Sequence, residues 1–285
     1  MLILIDLMWA GSFIAIKVGL REIPPSTMAL LRFSLAFPLL AVFLFFVERD
    51  KPRVDRKGLP YLIVLSLTGV TFLYIFQFYS LKYITASAGA ILINTTTIFI
   101  ALLSAAFLGE ALSKVKGLGI GSAFLGTFLI VSKGNLNIFS LSFLEVFGAF
   151  LMIGAALCWA VYSVLGKITL QAYSPMVVTT IVFGLGAMFL VPPSLAESPA
   201  TVLFEISWLG WFSVLYLAVF ASAVCYLLWS KVLLRIDATK AAVFLYLIPP
   251  LTLIFSFFLL EEAITYPILV GMILVIGGVY LTQKT

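Results

Sequence analysis

The sequence predicts an all-α integral membrane protein, with ten transmembrane helices arranged as two inverted five-helix repeats. Its composition is the first reason. Hydrophobic residues make up 63% of the 285 residues, charged residues make up only 10%, and the mean hydropathy is +1.21. Soluble domains carry about 25% charged residues. Lipid must therefore surround most of this chain.

Apolar runs along the chain are the second reason. A helix needs about 20 apolar residues to cross about 30 Å of hydrocarbon, whereas barrel strands would be half as long and would alternate. The first run begins without a basic leader or a cleavage site, so we expect it to be a membrane span. The predicted spans are 2–20, 26–47, 59–81, 86–109, 117–132, 146–166, 175–193, 208–234, 239–260 and 266–282.

Internal repetition is the third reason. The pattern formed by Trp9-Ala10, Lys17 and Pro25 recurs 150 residues later as Trp159-Ala160, Lys167 and Pro175. The residues of 108–111 recur in similar form at 260–263, an offset of 152. We expect a first repeat over 1–133, a linker over 134–144 and a second repeat over 145–285. An odd number of helices in each repeat inverts the second relative to the first, as in many transporters.

The distribution of basic residues predicts the orientation. Twelve lysines and arginines fall on one predicted side of the membrane and four on the other. Because basic loops face the cytoplasm, we expect a multi-pass protein of the cell membrane with both termini cytoplasmic. Arg53 and Lys114 would then lie inside, and Lys82 and Glu197 outside. The net charge of +5 is explained by topology, so no nucleic-acid partner is predicted.

Residue types that support catalysis are scarce in the sequence. Histidine is absent, and Cys158 and Cys225 both lie in apolar runs, so a disulfide is not expected. No phosphate-binding loop, metal cluster or nucleophile–base pair is present. We therefore predict a protein without enzymatic activity or cofactor, whose partners are the lipid bilayer and a small-molecule substrate. The sequence leaves a monomer and a homodimer open.

The order of these motifs resembles a known family. The doubled Trp-Ala…Lys opening, Arg32 in the second span and the Glu-Ala endings near residues 110 and 262 resemble the drug/metabolite transporter superfamily, and most closely its EamA-type permeases. The resemblance covers nearly the whole chain. It implies ten helices, cytoplasmic termini and a central cavity, with the fifth and tenth helices packed behind it. One departure is visible: the family often has a proline in both the fourth and the ninth span, but only Pro249-Pro250 is present here.

Three basic residues are candidates for gating or charge steering. Arg32 lies inside the second span, where a charge costs at least about 2.5–3.5 kcal/mol at the membrane centre. It is expected either to bind an anionic group, to pair with Glu22 or to reach the outer interface. Lys17 and Lys167 would lie at opposite mouths, where they either attract anions or anchor helix ends.

Polar and aromatic side chains inside the spans are candidates for substrate binding, with packing or interhelical hydrogen bonding as the alternative. They are Trp9, Ser12, Tyr74, Gln77, Phe78, Asn94, Thr97, Trp159, Ser163, Tyr226, Trp229 and Tyr246. Pro249 and Pro250 predict a helix kink that frees the carbonyls of Leu245 and Tyr246. Glu110 and Glu262 are expected to pair or to cap helices. Gly117, Gly121 and Gly277-Gly278 predict close helix packing, internally or across a dimer.

These features together predict a secondary transporter or facilitator. It would move a small organic metabolite, an amino acid or a related zwitterion or anion, by alternating access. The alternative is a proton-coupled exporter of cationic or aromatic drugs. Such an exporter needs a buried carboxylate, and Asp6, about one turn from the cytoplasmic end of the first span, is the only acidic residue well inside a span.

Overall fold

The computed structural model describes residues 1–47, 55–108, 114–131, 142–197, 203–235, 241 and 244–284. Regular structure in these ranges is helical throughout, and none of them contains a strand. Six helices are long and apolar enough to cross a membrane, and four shorter apolar helices accompany them. The fold is therefore that of an all-α membrane protein. Arg53, Glu110 and most of the expected linker at 134–144 lie outside the described residues.

The helices follow one another in this order: α1 (Leu2–Gly19), α2 (Pro25–Val47), α3 (Leu59–Ser66), a π-helical segment (Leu67–Thr71), α4 (Phe72–Tyr83), α5 (Ala86–Ile93), α6 (Thr96–Leu108), α7 (Lys114–Val131), α8 (Phe143–Thr169), α9 (Pro175–Leu195), α10 (Trp208–Tyr216), a second π-helical segment (Leu217–Val224), α11 (Cys225–Leu233), a 3₁₀ turn (Phe244–Leu247), α12 (Ile248–Leu260) and α13 (Tyr266–Lys284). Each π-helical segment joins the two α-helices that flank it into one membrane-length helix.

Large apolar side chains cover much of the outer surface. The rings of Phe46 and Phe258 are 77% and 74% exposed within the protein itself. Soluble monomers rarely expose apolar patches beyond a few hundred Å². These side chains are therefore in contact with lipid in the membrane.

The span predicted at 86–109 is interrupted in its middle. Helix α5 ends before Asn94, and α6 begins at Thr96. The Asn94 amide donates to the Ala90 carbonyl at 3.0 Å, and the Thr95 hydroxyl donates to the Leu92 carbonyl at 2.8 Å. Side chains of this kind compete with the backbone for hydrogen bonds. Polar residues thus interrupt the helix where the sequence lacks the proline that the related family often carries.

The proline pair stands at a matching interruption. Residues Phe244–Leu247 form a 3₁₀ turn, and Pro249 and Pro250 lie in the first turn of α12. Proline is tolerated there because first-turn N–H groups have no helical partner. The two prolines therefore mark a junction between two kinds of helix and do not kink the middle of one.

Helices α7 and α13 approach each other closely through glycines. A Cβ atom on Gly278 would lie 2.4 Å from the Gly119 carbonyl oxygen, and one on Gly126 would lie 2.7 Å from the Gly271 carbonyl oxygen. By contrast, a Cβ on Gly117, Gly121 or Gly277 meets nothing within 4 Å among the described atoms. Within one chain, Gly278 packs closely as expected, whereas Gly117, Gly121 and Gly277 do not. Packing of these three glycines across a dimer stays a prediction.

Replacing Gly278 by Ala is expected to destabilise the protein. The new methyl group meets backbone atoms of α7, which cannot move aside as a side chain would, and such overpacking costs about 1–3 kcal/mol. Thermal unfolding in detergent measures the effect. Gly277→Ala is the matched control, since its methyl group enters open space, and equal melting temperatures for the two variants would contradict the close contact.

Candidate substrate site

A cavity of about 70 Å³ lies where helices from both halves of the chain meet. Ligand pockets typically measure about 300–1,000 Å³, so an organic solute fits only if this space widens. The lining comes from α1, α2, α4, α5, α6, α8, the 3₁₀ turn and α12. The lining residues are Trp9, Ser12, Phe13, Arg32, Leu73, Tyr74, Gln77, Ile93, Asn94, Thr96, Trp159, Leu245 and Ile248.

Arg32 is the charged residue in this lining, and it is only 1% exposed. Its Nε donates to the Ser222 hydroxyl at 2.5 Å, and its Nη2 donates to the Tyr74 hydroxyl and the Ala221 carbonyl at 3.1 Å each. The guanidinium carbon also lies 4.2 Å from the centre of the Tyr74 ring. Every one of these partners is neutral. The cavity wall therefore carries a positive charge that these contacts orient but do not neutralise.

The two π-helical segments supply backbone acceptors at equivalent positions. The Ala221 carbonyl accepts from the Trp9 indole at 3.1 Å as well as from Arg32. The Gly69 carbonyl, 152 residues earlier, accepts from the Tyr226 hydroxyl at 2.8 Å. π-Helical turns are rare and are frequent at functional sites. Both halves of the chain thus use an unusual backbone turn to hold the side chains around the cavity.

Residues at equivalent repeat positions meet at the centre of the molecule. The Tyr74 and Tyr226 hydroxyls, 152 residues apart, lie 2.9 Å from each other. The rings of Trp9 and Trp159 cross at 88° with their centres 5.3 Å apart. Trp229 packs against both indoles, at 5.6 and 5.9 Å. An aromatic cluster built from matched positions therefore closes one side of the cavity.

The structure brings seven of the predicted residues into the cavity wall. They are Trp9, Ser12, Arg32, Tyr74, Gln77, Asn94 and Trp159. Thr96, from the polar run at 94–97 that the sequence marks for substrate contact or interhelical hydrogen bonding, lines the cavity as well. The five apolar lining residues escaped prediction because nothing in a single apolar helix distinguishes a cavity face from a packed face. Leu245 and Ile248 are the ones with a usable signal, since they flank the helix junction next to Pro249.

The other predicted residues lie behind the wall or apart from it. Tyr226 and Trp229 are fully buried against the lining aromatics, and Phe78 packs edge-on to Tyr74. The Thr97 hydroxyl donates to the carbonyl of Asn94 on its own chain segment. Tyr246 packs in a separate apolar cluster with Ile91 and Ile98. The buried Ser163 hydroxyl has no hydrogen-bond partner in the part of the chain that the structure describes.

Comparison with known proteins identifies the family. The model of the EamA-like transporter family matches residues 1–132 and 146–283. An "Uncharacterized transporter" of Archaeoglobus fulgidus is 42% identical over 283 residues, which cover 99% of this chain and 96% of the relative. The chain belongs to the EamA-like transporter family. The resemblance seen in the sequence is thereby confirmed, and the protein is a multi-pass membrane transporter.

Two further matches of this EamA-like transporter bear on substrate and fold. A "Probable terminal-alkyne amino-acid exporter" of Streptantibioticus cattleyicolor is 27% identical over 285 residues, covering 99% of this chain and 92% of the exporter. A solved crystal structure superposes with a TM-score of 0.64 at 17% identity and covers 98% of this chain and 97% of that one. At that identity the second match shows the shared fold alone.

Lys17 of the EamA-like transporter lines two larger cavities outside the central one. Their volumes are about 360 and 310 Å³, and Glu262 lines both. Arg21 and Lys82 line the second cavity as well. Lys167 is half-buried in the last turn of α8. The lysine pair therefore stands at helix ends, and Lys17 opens onto a vestibule with several charges.

Glu197 fastens the start of α2. Its two carboxylate oxygens accept from the backbone N–H groups of Ser26 and Thr27 at 3.0 and 2.7 Å and from the Thr27 hydroxyl at 2.9 Å. The Tyr79 hydroxyl donates to the same carboxylate at 2.7 Å. A negative charge at a helix N-terminus also interacts favourably with the helix dipole. A residue of the second half thus holds two helices of the first half.

Glu262 and Glu22 form similar bridges. Glu262 accepts from the backbone N–H groups of Ala86 and Ser87 at the start of α5, at 2.7 and 3.1 Å. Glu22 accepts from the N–H group and the hydroxyl of Ser207 at the start of α10, both at 2.8 Å. These bonds from Ser207 lower the pKa of Glu22. The bridge is therefore complete at neutral pH and is lost only as the pH falls through that lowered value. Glu22 consequently binds Ser207 in place of the Arg32 considered from the sequence.

Asp55 joins the two halves at another place. The Tyr173 hydroxyl donates to its carboxylate, and the Gly58 N–H group adds a bond at 2.9 Å. Hydrogen bonding from Tyr173 is the main reason that the pKa of Asp55 is lowered. Tyr173 precedes α9, and Asp55 precedes α3. This bridge therefore links the beginnings of two further helices.

Proposed function

We propose that the protein is a secondary transporter that moves an amino acid, or a closely related carboxylate-bearing metabolite, across the cell membrane by alternating access. The observation that carries the proposal is the buried Arg32 guanidinium, which lines the central cavity and whose hydrogen-bond partners among the described residues are neutral. The Nε and Nη2 hydrogens of Arg32 are engaged by Ser222, Tyr74 and Ala221, so a carboxylate would be bound by the Nη1 group, whose two N–H groups donate charge-assisted hydrogen bonds. The amino-acid exporter among the relatives supports the same substrate class.

The alternative of an exporter for cationic drugs has less support in this cavity. A cation entering it would meet the positive charge of Arg32 at close range in a medium of low dielectric constant, where like charges repel strongly. An anion or the carboxylate of a zwitterion would be attracted there. The surrounding aromatic rings suit the apolar part of such a solute.

The proposal includes two inverted five-helix repeats, at 1–133 and 145–285, with both termini in the cytoplasm. Six long apolar helices and four shorter ones supply the ten spans. Contacts between equivalent residues, Tyr74 with Tyr226 and Trp9 with Trp159, support a two-fold relation whose axis passes through the cavity. Inverted repeats place a substrate site at the interface between the two repeats. When the two repeats exchange conformations, the site opens to the opposite side of the membrane.

Lys17 and Lys167 would act at the two mouths in this scheme. Matched positions in inverted repeats fall near opposite membrane faces, and exposed charges there raise the rate of solute capture. In the cavity of about 310 Å³ beside Lys17, the three basic residues Lys17, Arg21 and Lys82 outnumber the single carboxylate of Glu262, which supports attraction of anionic groups at one mouth. The two lysines therefore steer the solute, and Arg32 binds it.

Counterflow in proteoliposomes tests the proposed function. Vesicles loaded with an unlabelled L-amino acid should take up the labelled form of the same amino acid without any ion gradient. The assay is repeated for each member of a panel of amino acids. The amide of the best substrate, in which a carboxamide replaces the carboxylate, should be transported at least about tenfold more slowly. Losing a charge-assisted hydrogen bond costs about 1.4 kcal/mol or more. Protein-free vesicles give the background. Transport of amides or simple amines at the same rate as the acids would refute carboxylate recognition.

A further inference from the structure

Asp6 is the second buried charged residue of this structure. Among the residues whose burial is described, Asp6 and Arg32 are the charged side chains that are buried, at 0% and 1% exposure. Neither carboxylate oxygen of Asp6 has a hydrogen-bond partner in the described parts of the chain. An ionised carboxylate in such surroundings is strongly disfavoured. Without a ligand, burial therefore favours the neutral carboxylic acid form of Asp6.

Asp6 lies next to the candidate substrate site. It precedes Trp9, which lines the cavity, by three residues, and residues spaced by three share one face of a helix. The distance along the axis of α1 is about 4.5 Å, at about 1.5 Å for each residue. Asp6 is therefore one turn beyond the cavity wall, on the side that carries the substrate contacts.

Cys225 connects the surroundings of the two buried charges. Its thiol donates to the carbonyl of Ile5, the residue before Asp6, at 3.9 Å. Ser222, which accepts from Arg32, lies one helical turn before Cys225. The positive and the negative group thus approach the same short stretch of the second π-helical segment and α11 from two directions.

Other titratable groups near this part of α1 are few. On the helices packed against it, the described groups are the Cys225 thiol, the Tyr216 hydroxyl, which donates to the Met8 carbonyl at 2.9 Å, the Tyr74, Tyr226 and Tyr246 hydroxyls, and Lys231 at the exposed end of α11. Thiols and phenols are ordinarily neutral near pH 7. Arg32 and Asp6 are therefore the pair of buried groups that can complement a zwitterion.

We propose that Asp6 is a proton-exchange site that receives the ammonium group of the transported amino acid, which makes the protein a proton/amino-acid antiporter. This inference rests on the proposed function. In the cavity open to the cytoplasm, the carboxylic acid of Asp6 releases its proton to water, and the substrate ammonium takes its place while the substrate carboxylate binds Arg32. When the cavity opens outward, the amino acid leaves and a proton from outside returns to Asp6. Each cycle moves an amino acid out and a proton in.

Proton release on binding tests the inference in the wild-type protein. An L-amino acid from the counterflow panel is added to purified protein in weakly buffered detergent solution that contains a pH indicator. We expect release of about one proton for each amino acid bound. The 2-hydroxy acid with the same side chain has a carboxylate but no ammonium group, and it should release none. Binding of the amino acid without proton release would overturn the inference.

The Asp6→Asn variant provides a second test. Asparagine keeps the shape of the side chain but cannot give up a proton. Accumulation driven by a pH gradient should fall at least about 30-fold, and counterflow of the amino acid should fall as well, because its ammonium group loses the carboxylate that binds it. Glu205→Gln, at an exposed glutamate, is the matched control and should leave both unchanged. Gradient-driven accumulation that survives in Asp6→Asn would also overturn the inference.

The outcomes separate this inference from the proposed function. Counterflow of amino acids without a gradient supports the proposed function whether or not protons move. Loss of counterflow in the wild-type protein would refute the proposed function itself. If Asp6→Asn does not elute as a single folded species, proton release by the wild-type protein decides the question alone.

Discussion

Replacement of Arg32 by Gln is expected to lower the transport of a carboxylate substrate at least about 30-fold, as measured by kcat/KM for counterflow. The guanidinium is 1% exposed and lines the cavity, so no water compensates for its loss. Removing one partner of a buried charged pair costs about 2–5 kcal/mol, and 1.4 kcal/mol corresponds to a factor of ten. Folding should survive, because glutamine can still donate to Tyr74 or Ala221 and the variant buries no charge.

Two further variants sharpen this prediction. Arg32→Lys keeps the charge but loses the paired donors, so transport should lie between that of the wild type and that of Arg32→Gln. Arg21→Gln removes an exposed arginine at the vestibule. It should change transport at saturating substrate by less than about twofold, since exposed charges act mainly on capture. Equal losses in Arg21→Gln and Arg32→Gln would contradict a specific role for Arg32.

Replacement of Glu197 by Gln is expected to open the cavity to the outside. The carboxylate accepts four hydrogen bonds from Ser26, Thr27 and Tyr79. Glutamine offers one acceptor oxygen, and its amide N–H groups face the donors of α2. The lost bonds and the lost interaction with the helix dipole together amount to about 2–4 kcal/mol, which shifts a two-state equilibrium by at least about tenfold.

Cysteine accessibility measures this opening. Ser12 lines the cavity, so Ser12→Cys is labelled by an impermeant thiol reagent only when the cavity is open to that side. In a background with Cys158 and Cys225 replaced by Ala, Glu197→Gln should raise the labelling rate in intact cells at least about tenfold. Glu205→Gln is the control for loss of a nearby negative charge. An unchanged rate would show that Glu197 does not hold this end closed.

Long-range features of the fold were accessible from the sequence because they depend on composition and repetition. A chain with 63% hydrophobic residues can be solvated only by lipid, and the paired motifs around Trp9 and Trp159 follow from internal duplication. Local backbone irregularities were not accessible. The π-helical segments around Gly69 and Ala221 consist of small and apolar residues of the same types as the flanking α-helices, so their composition does not distinguish them.

Within the site as well, some residues could be predicted from the sequence and others could not. A charge inside a span is expensive, so Arg32 was recognisable as a candidate from its position alone. The role of Glu197 was not, because its partners at Ser26 and Thr27 lie 171 and 170 residues away. Asp6 was visible as an intramembrane acid, but only the structure shows that its oxygens lack partners among the described residues.

Binding of the substrate carboxylate by Arg32 can be measured with a double-mutant cycle in which one change is made in the protein and the other in the ligand. Calorimetry gives the affinities of wild-type protein and Arg32→Gln for the best L-amino acid and for its amide. A direct pairing predicts that conversion to the amide weakens binding at least about 30-fold in the wild type and less than about threefold in Arg32→Gln. Equal penalties in the two proteins would contradict the pairing and place the carboxylate elsewhere.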